Sequence, residues 1–114
     1  MNTLLVLASG STGRQELLRR TGVSFTVDPS EVDESTDAGS VEEHVQTLAL
    51  RKARSVSARH PEAVVIGADT VAELDGTVIG KPESADEARV MLRLLSGRYH
   101  RLLSGLAVLA PDGR

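Results

Sequence analysis

The stretch AVVIGADTVAELDGTVIGKP, Ala63 to Pro82, decides how the chain is read. Its opening residues, Ala63 to Ala68, form a short apolar run of the length that suits a buried strand. Asp69 follows, at what the pattern makes the carboxyl edge of that strand. Thr70 to Leu74 and Thr77 to Ile79 flank Asp75-Gly76, a dipeptide that accepts positive φ at both positions and so signals a tight hairpin. Gly80, Lys81 and Pro82 then form a small, rigid exit. Asp69 and Lys81 thus stand at the ends of segments otherwise built for a core.

On the N-terminal side, Leu4 to Ala8 is a second buried-strand run, opening onto the small residues SGSTG. Ser11 is placed to cap a helix through Gln15 to Arg20, with Leu17 and Leu18 as its apolar face and Gly22 as its stop. Ser24 to Val27 reads as a strand and the polar stretch after it as a loop. Ser40 and Glu43 have capping-box spacing, which starts a long helix from about Val41 to Arg59. On the C-terminal side, Ser84 and Glu87 repeat that spacing for a helix to Leu95, with Ala88, Met91, Leu92 and Leu95 as its stripe. Tyr99 to Ala110 reads as one strand with a bend at Gly105. Alternating strands and helices, with hairpins, imply an α/β fold with a mixed sheet flanked by helices.

The 114 residues make one domain by length, 1–114, with about two-thirds of the unfolded surface buried. Aromatic residues are only 2%, so the core is aliphatic and base-stacking platforms for single-stranded nucleic acid are missing. A formal net charge of −3 attracts neither DNA, RNA nor an anionic membrane. The absence of cysteine removes disulfides, thiolate metal sites and thiol nucleophiles. No apolar stretch approaches the ~18 residues of a membrane span. These absences set the expectation of a soluble, cytoplasmic protein. The final PDGR is a turn sequence that normally leads into a partner strand, which points to a longer domain or a partner chain.

Several charges contradict the core pattern. In the long helix Val45, Leu48, Ala49 and Val56 share a face, and Lys52 lies in its middle. Such a lysine either snorkels to water, pairs internally or meets an anion, because an unpaired buried charge is costly. Arg14, in the first turn of the first helix, follows a loop with hydroxyls and free N–H groups that suits phosphate. Asp69 at a strand end could hold Mg²⁺, act as general base on a water, or merely cap the turn through Thr70. Glu31, Asp33 and Glu34 form an acidic cluster, and Glu34 with Asp69 is the simplest pair of oxygen ligands for a metal. His44, His60 and His100 lack zinc spacing, and Ser9 and Ser11 lack a serine-hydrolase setting.

Six segments, LASGSTGRQELL, SEVDES, LALRKA, VIGADTV, GKP and LLSGRYH, occur in the order and approximate spacing of the Maf family. The chain resembles that family from about Leu4 to Val108. The resemblance implies a nucleoside triphosphate pyrophosphatase that cuts between the α and β phosphates with a divalent metal, Mg²⁺ or Mn²⁺. It also implies a mixed sheet with a long cleft, similar to inosine triphosphate pyrophosphatases, and extends the family's common homodimer to this chain. Family roles fall on Ser9, Arg14, Glu34, Lys52, Asp69 and Lys81: Arg14, Lys52 and Lys81 on phosphate, Asp69 as base or metal ligand beside Glu34. Thr70 resembles the branch acting on dTTP and UTP, where the 7-methyl-GTP branch tends to carry Gln. Two departures stand out. Thr12 and Gly13 replace the family's Pro and first Arg, and family members continue past the last residue here into a pocket-forming Gly/Ala-rich motif. A non-catalytic nucleotide-binding regulator of septum formation and an inactive fragment are the alternatives, and 7-methyl-GTP is the alternative substrate, toward which SGLAVL and the lost arginine lean.

Overall fold

The computed structural model describes residues 4–33, 39–79 and 84–114. Along the chain run β1 (Leu4–Ala8), α1 (Thr12–Arg19), β2 (Thr26–Val27), α2 (Val41–Ser57), β3 (Ala63–Leu74), β4 (Thr77–Ile79), α3 (Ala85–Leu95) and β5 (Arg101–Leu109). A 3₁₀ turn, Pro111–Gly113, follows. The fold is mixed α/β, as the alternation implies. β1 pairs in parallel with β2 and β3, whereas β4 and β5 pair antiparallel to β3.

The caps sit where the sequence places them. Ser11, Ser40 and Ser84 each accept a hydrogen bond from the backbone N–H three residues on, Arg14, Glu43 and Glu87. In α2 the capping box closes one residue early: the Glu43 carboxylate accepts from Gly39 N–H at 3.2 Å. Asp75 and Gly76, with φ of 52° and 81°, make the β3–β4 hairpin with both central residues left-handed.

The stretch from Ala63 to Leu74 is one strand of 12 residues, not two segments that break after Ala68. The reason is β5, which pairs without interruption from Val65↔Leu109 to Glu73↔Arg101 and carries β3 straight through Asp69. The opposite edge of β3 is different. β1 covers it from Ala63 to Gly67 and β4 from Ala72 to Leu74, so Ala68 to Val71 have no strand partner on that edge among the described residues. Asp69 is therefore mid-strand along the chain, yet beside a strand end on one edge.

α2 covers one face of this sheet. Val6, Ala8, Ala53, Val56, Ala63, Val65 and Leu109 form one buried apolar cluster. Val41, Val45 and Val71 form a second. Between them runs a seam of small residues where helix and sheet come very close. A Cβ on Gly67 would lie 2.4 Å from the Ala49 carbonyl oxygen and 2.8 Å from Ala53 Cβ. One on Gly105 would lie 2.4 Å from the Val45 carbonyl oxygen. Gly105 thus serves close helix packing, with pairing continuous on both sides of it, rather than the expected bend.

The other face is largely bare among the described residues. Leu102, Leu106 and Val108 of β5 point to it and are exposed, as are Leu17 of α1 and Leu92 of α3. Neither helix fully buries a residue among the described ones: Leu18, Ala88, Met91 and Leu95 of the expected apolar faces are half-buried, whereas Leu17 and Leu92 stay exposed. The Pro111–Gly113 turn folds back, with Asp112 N–H donating to the Pro61 carbonyl at 2.7 Å, and leads into no described strand.

Ion pairs tie the ends of α2 down. Arg101 on β5 binds both Glu73 and Glu42. Just past α2, Arg59 donates through Nε and Nη2 to Asp28 at 3.1 and 3.0 Å, and His60 Nε2 lies 2.8 Å from the same carboxylate. The Arg59 guanidinium and then His60 hold the Asp28 carboxyl below its ordinary range. Glu42 is likewise lowered, first by its own backbone N–H and then by Arg101.

Two outcomes follow from this packing. Gly67→Ala should lose roughly 1–3 kcal/mol or more in urea unfolding, because backbone must shift to admit the methyl. Gly39→Ala, whose Cβ meets nothing nearer than 3.9 Å, serves as the neutral control. The depressed Asp28 and Glu42 make the unfolded chain bind more protons in acid, so melting temperature should decline as pH falls below the ordinary carboxylate range. Asp28→Asn should lower the neutral-pH melting temperature and flatten part of that decline.

Candidate active site

The uncovered edge of β3 is where the misplaced charges meet. Lys52, centred on the buried face of α2, donates from Nζ to Asp69 Oδ1 at 2.9 Å. The small-residue seam makes this possible, because it brings the helix low over Gly67 and Gly105, the latter directly opposite Asp69. The pair is well removed from water, with side-chain exposures of 15% for Lys52 and 8% for Asp69. Only one carboxylate oxygen is used by that bond. Asp69 Oδ2 is buried with no hydrogen-bond partner among the described residues.

Arg14 approaches from the loop after β1. Its guanidinium is held at two points: Nη1 donates to Ser9 Oγ at 3.1 Å and Nη2 to Thr70 Oγ1 at 2.8 Å. Ser9 Oγ also accepts from Ser11 N–H at 3.2 Å, which shapes the loop entering α1. Gln15 Nε2 adds a bond to the Ser9 carbonyl at 3.3 Å. Thr70 is next to Asp69 in β3 and points to the opposite face, so the gap in the edge lets groups from both faces reach one place.

A cavity of about 320 Å³ opens there, lined by Ser9, Ser11, Arg14, Ser30 and Lys52 among others. Two cations, hydroxyls and the start of α1 surround it, a lining suited to an anion. A slightly larger surface cavity, about 380 Å³, lies at the C-terminal end of α2 between Arg54, Ser57 and Asp112. It contains none of the converging charges and is not the site that the chemistry marks.

Of the residues singled out in the sequence, Ser9, Arg14, Lys52, Asp69 and Thr70 are thus brought together. Glu34 and Lys81 lie outside the described residues. Of the residues next to them in the described chain, Ile79 ends β4, and the Asp33 carbonyl accepts a hydrogen bond from Arg51 on α2. Among the described residues no three His, Cys, Asp or Glu side chains cluster to hold a metal. The orphaned Oδ2 of Asp69 nevertheless fits one position on a hard divalent cation, which typically takes one or two carboxylates and completes its shell with water and phosphate.

Two residues escaped the sequence reading. Ser30 lines the cavity and its buried Oγ has no partner among the described residues; it opens the SEVDES segment, whose acidic residues alone drew attention in the sequence. Ser104 on β5 lies 2.8 Å from Thr70 through its Oγ. Its signal was available, as the one hydroxyl in the alternating apolar row Leu102, Leu106 and Val108.

The match to known proteins is broad. The family described as Maf-like protein matches residues 4–114. A dTTP/UTP pyrophosphatase of Symbiobacterium thermophilum is 53% identical over 109 residues, 95% of this chain and 56% of that protein. One from Geobacillus is 43% identical over 111 residues, 96% of this chain and 60% of its own length. The chain therefore spans between half and two-thirds of the curated relatives it matches. In three dimensions it is similar to a nucleoside-triphosphatase / dITP/XTP pyrophosphatase from Mycobacterium abscessus, with a TM-score of 0.58 at 18% identity over 98% of this chain and 68% of that one. That likeness extends the expected fold relationship to solved coordinates. No helix among the described residues is long and apolar enough to cross a membrane. Sequence order, fold and the family match over nearly every residue agree, and the chain belongs to the Maf family.

Proposed function

We propose that the protein hydrolyses nucleoside triphosphates between the α and β phosphates, releasing pyrophosphate and a monophosphate, with dTTP or UTP as substrate. The observation that carries this reading is the Lys52–Asp69 pair, with one carboxylate oxygen anchored and the other without a partner among the described residues, beside a cavity holding Arg14. The substrate class rests on the relatives named dTTP/UTP pyrophosphatase, and the resemblance of Thr70 to that branch of the family is in keeping with it.

A triphosphate brings about four negative charges into the cavity, and its hydrolysis is governed by positioning and charge stabilisation. Arg14, already fixed by Ser9 and Thr70, offers a planar fork to phosphate oxygens. Lys52 offers a point charge that bridges substrate and Asp69. The first-turn N–H groups of α1 add donors that have no partner within the helix. Asp69, its Oδ1 held by Lys52, directs Oδ2 at an attacking water and accepts its proton as the bond to phosphorus forms. In the alternative role Asp69 would instead hold Mg²⁺ or Mn²⁺ beside Glu34; the cation would offset charge on the phosphates and the leaving pyrophosphate. Lys81, beyond β4, is the third cation of the scheme.

Pyrophosphate release from dTTP and UTP, measured with Mn²⁺ and then with EDTA, tests the reading on the whole chain. Metal-dependent release is expected; saturable binding without release would make the protein a nucleotide-binding regulator instead. Asp69→Asn, which keeps an oxygen for Lys52, should lower kcat by about 10²- to 10⁴-fold with an unchanged circular dichroism spectrum. Turnover near that of the wild type would remove Asp69 from the chemistry. Arg14→Ala removes a charged phosphate contact and should raise KM by about 10- to 100-fold.

A further inference from the structure

We infer that Ser104 on β5 is a positioning residue for substrate binding, acting through Thr70 to hold the Arg14 guanidinium in place. The inference rests on the proposed function for what Arg14 grips, but the arrangement itself is visible without substrate. Ser104 faces Thr70 directly across the antiparallel pair. Their hydroxyl oxygens are 2.8 Å apart, and Thr70 Oγ1 accepts from Arg14 Nη2 at the same distance. The line Ser104–Thr70–Arg14–Ser9 thus runs from the outer strand to the phosphate-facing loop.

A hydroxyl has one proton and two acceptor sites. With one acceptor site of Thr70 given to Arg14, either direction of the Thr70–Ser104 bond fixes the hydroxyl rotor. Without Ser104 the Thr70 proton is free to turn and to compete for the side of Oγ1 that faces Arg14 Nη2, so the Thr70 anchor of Arg14 loosens while the Ser9 anchor stays. Thr70 itself is stiff at χ1, so the direction of the hydroxyl is set chiefly by its second partner. The backbone of Ser104 is fixed in turn, because Gly105 lies tight under α2 and blocks any slip of β5. The residues two positions to either side, Leu102 and Leu106, are exposed and apolar. A hydroxyl in that row, at the single position opposite Thr70, has no role in packing.

The test uses the whole chain with Ser104→Ala, Ser104→Val and Ser104→Thr. Loss of one hydrogen bond that orients a charged contact should raise KM for dTTP by about 3- to 10-fold in the Ala and Val variants, with kcat within about twofold of wild type. Ser104→Thr, which restores the hydroxyl, should recover wild-type KM. In the substrate-free protein, ¹⁵N relaxation at Arg14 Nε should show a more mobile guanidinium for Ala and Val and wild-type order for Thr. An unchanged KM and unchanged Arg14 order in Ser104→Ala, or a melting-temperature loss alone, would overturn the inference. Failure of rescue by Thr would do the same. Should the wild type release no pyrophosphate, the proposed reaction fails, and the mobility of Arg14 alone then decides whether Ser104 positions it.

Discussion

Everything in the site depends on how low α2 lies over the sheet. Helices normally rest on sheets with side chains between them, and a lysine on the buried face would then have to reach past its neighbours to a strand. Here Gly67 and Gly105 leave no side chain beneath Ala49 and Val45, and the helix backbone comes within contact of both strands. That approach places Lys52 Nζ 2.9 Å from Asp69. The two apolar clusters on either side of the seam hold the helix at that height. The glycines allow the contact, and the valines and alanines enforce it.

The second constraint is topological. β3 is paired along its whole length by β5, but on the other edge β1 and β4 stop short of each other. Four residues of a central strand have no ladder partner there among the described residues, and the chain leaving β1 at the gap carries the loop of Ser9 to Arg14. An interrupted edge inside a sheet does what the crevice at a strand end does in open α/β folds: it brings backbone turns and polar groups against an otherwise apolar layer. It also joins the two faces, so that Lys52 from the α2 side and Arg14 with Thr70 on the other serve one cavity.

An ion pair this far from water is weak evidence of stabilisation, since desolvation offsets much of the attraction. Its value lies in orientation. With Oδ1 committed to Lys52, Oδ2 has a fixed direction and no competing partner among the described residues. Arg14 is oriented in the same manner by two hydroxyls. Ground-state contacts within the protein thus set the geometry that a polyanion would meet, and little reorganisation is left for the moment of binding.

The sequence by itself determined the elements and the suspects. The serine caps, the Asp75-Gly76 hairpin and the buried stripe of α2 are local matters of hydrogen bonding and periodicity, legible over a few residues. Arg14, Lys52 and Asp69 stood out for the opposite reason, as charges set at the edge or middle of apolar patterns, where a local role competed with a functional one. The tertiary structure decided the rest. Whether β3 broke at Asp69 depended on a partner strand some forty residues away in sequence, and β5 kept it whole. The roles of Gly67 and Gly105 came from the helix above them and not from any turn they make. The link from Ser104 to Arg14 exists only because an antiparallel register sets Ser104 opposite Thr70. Local sequence fixes which conformations and charges are available; long-range pairing and packing alone fix which of them touch.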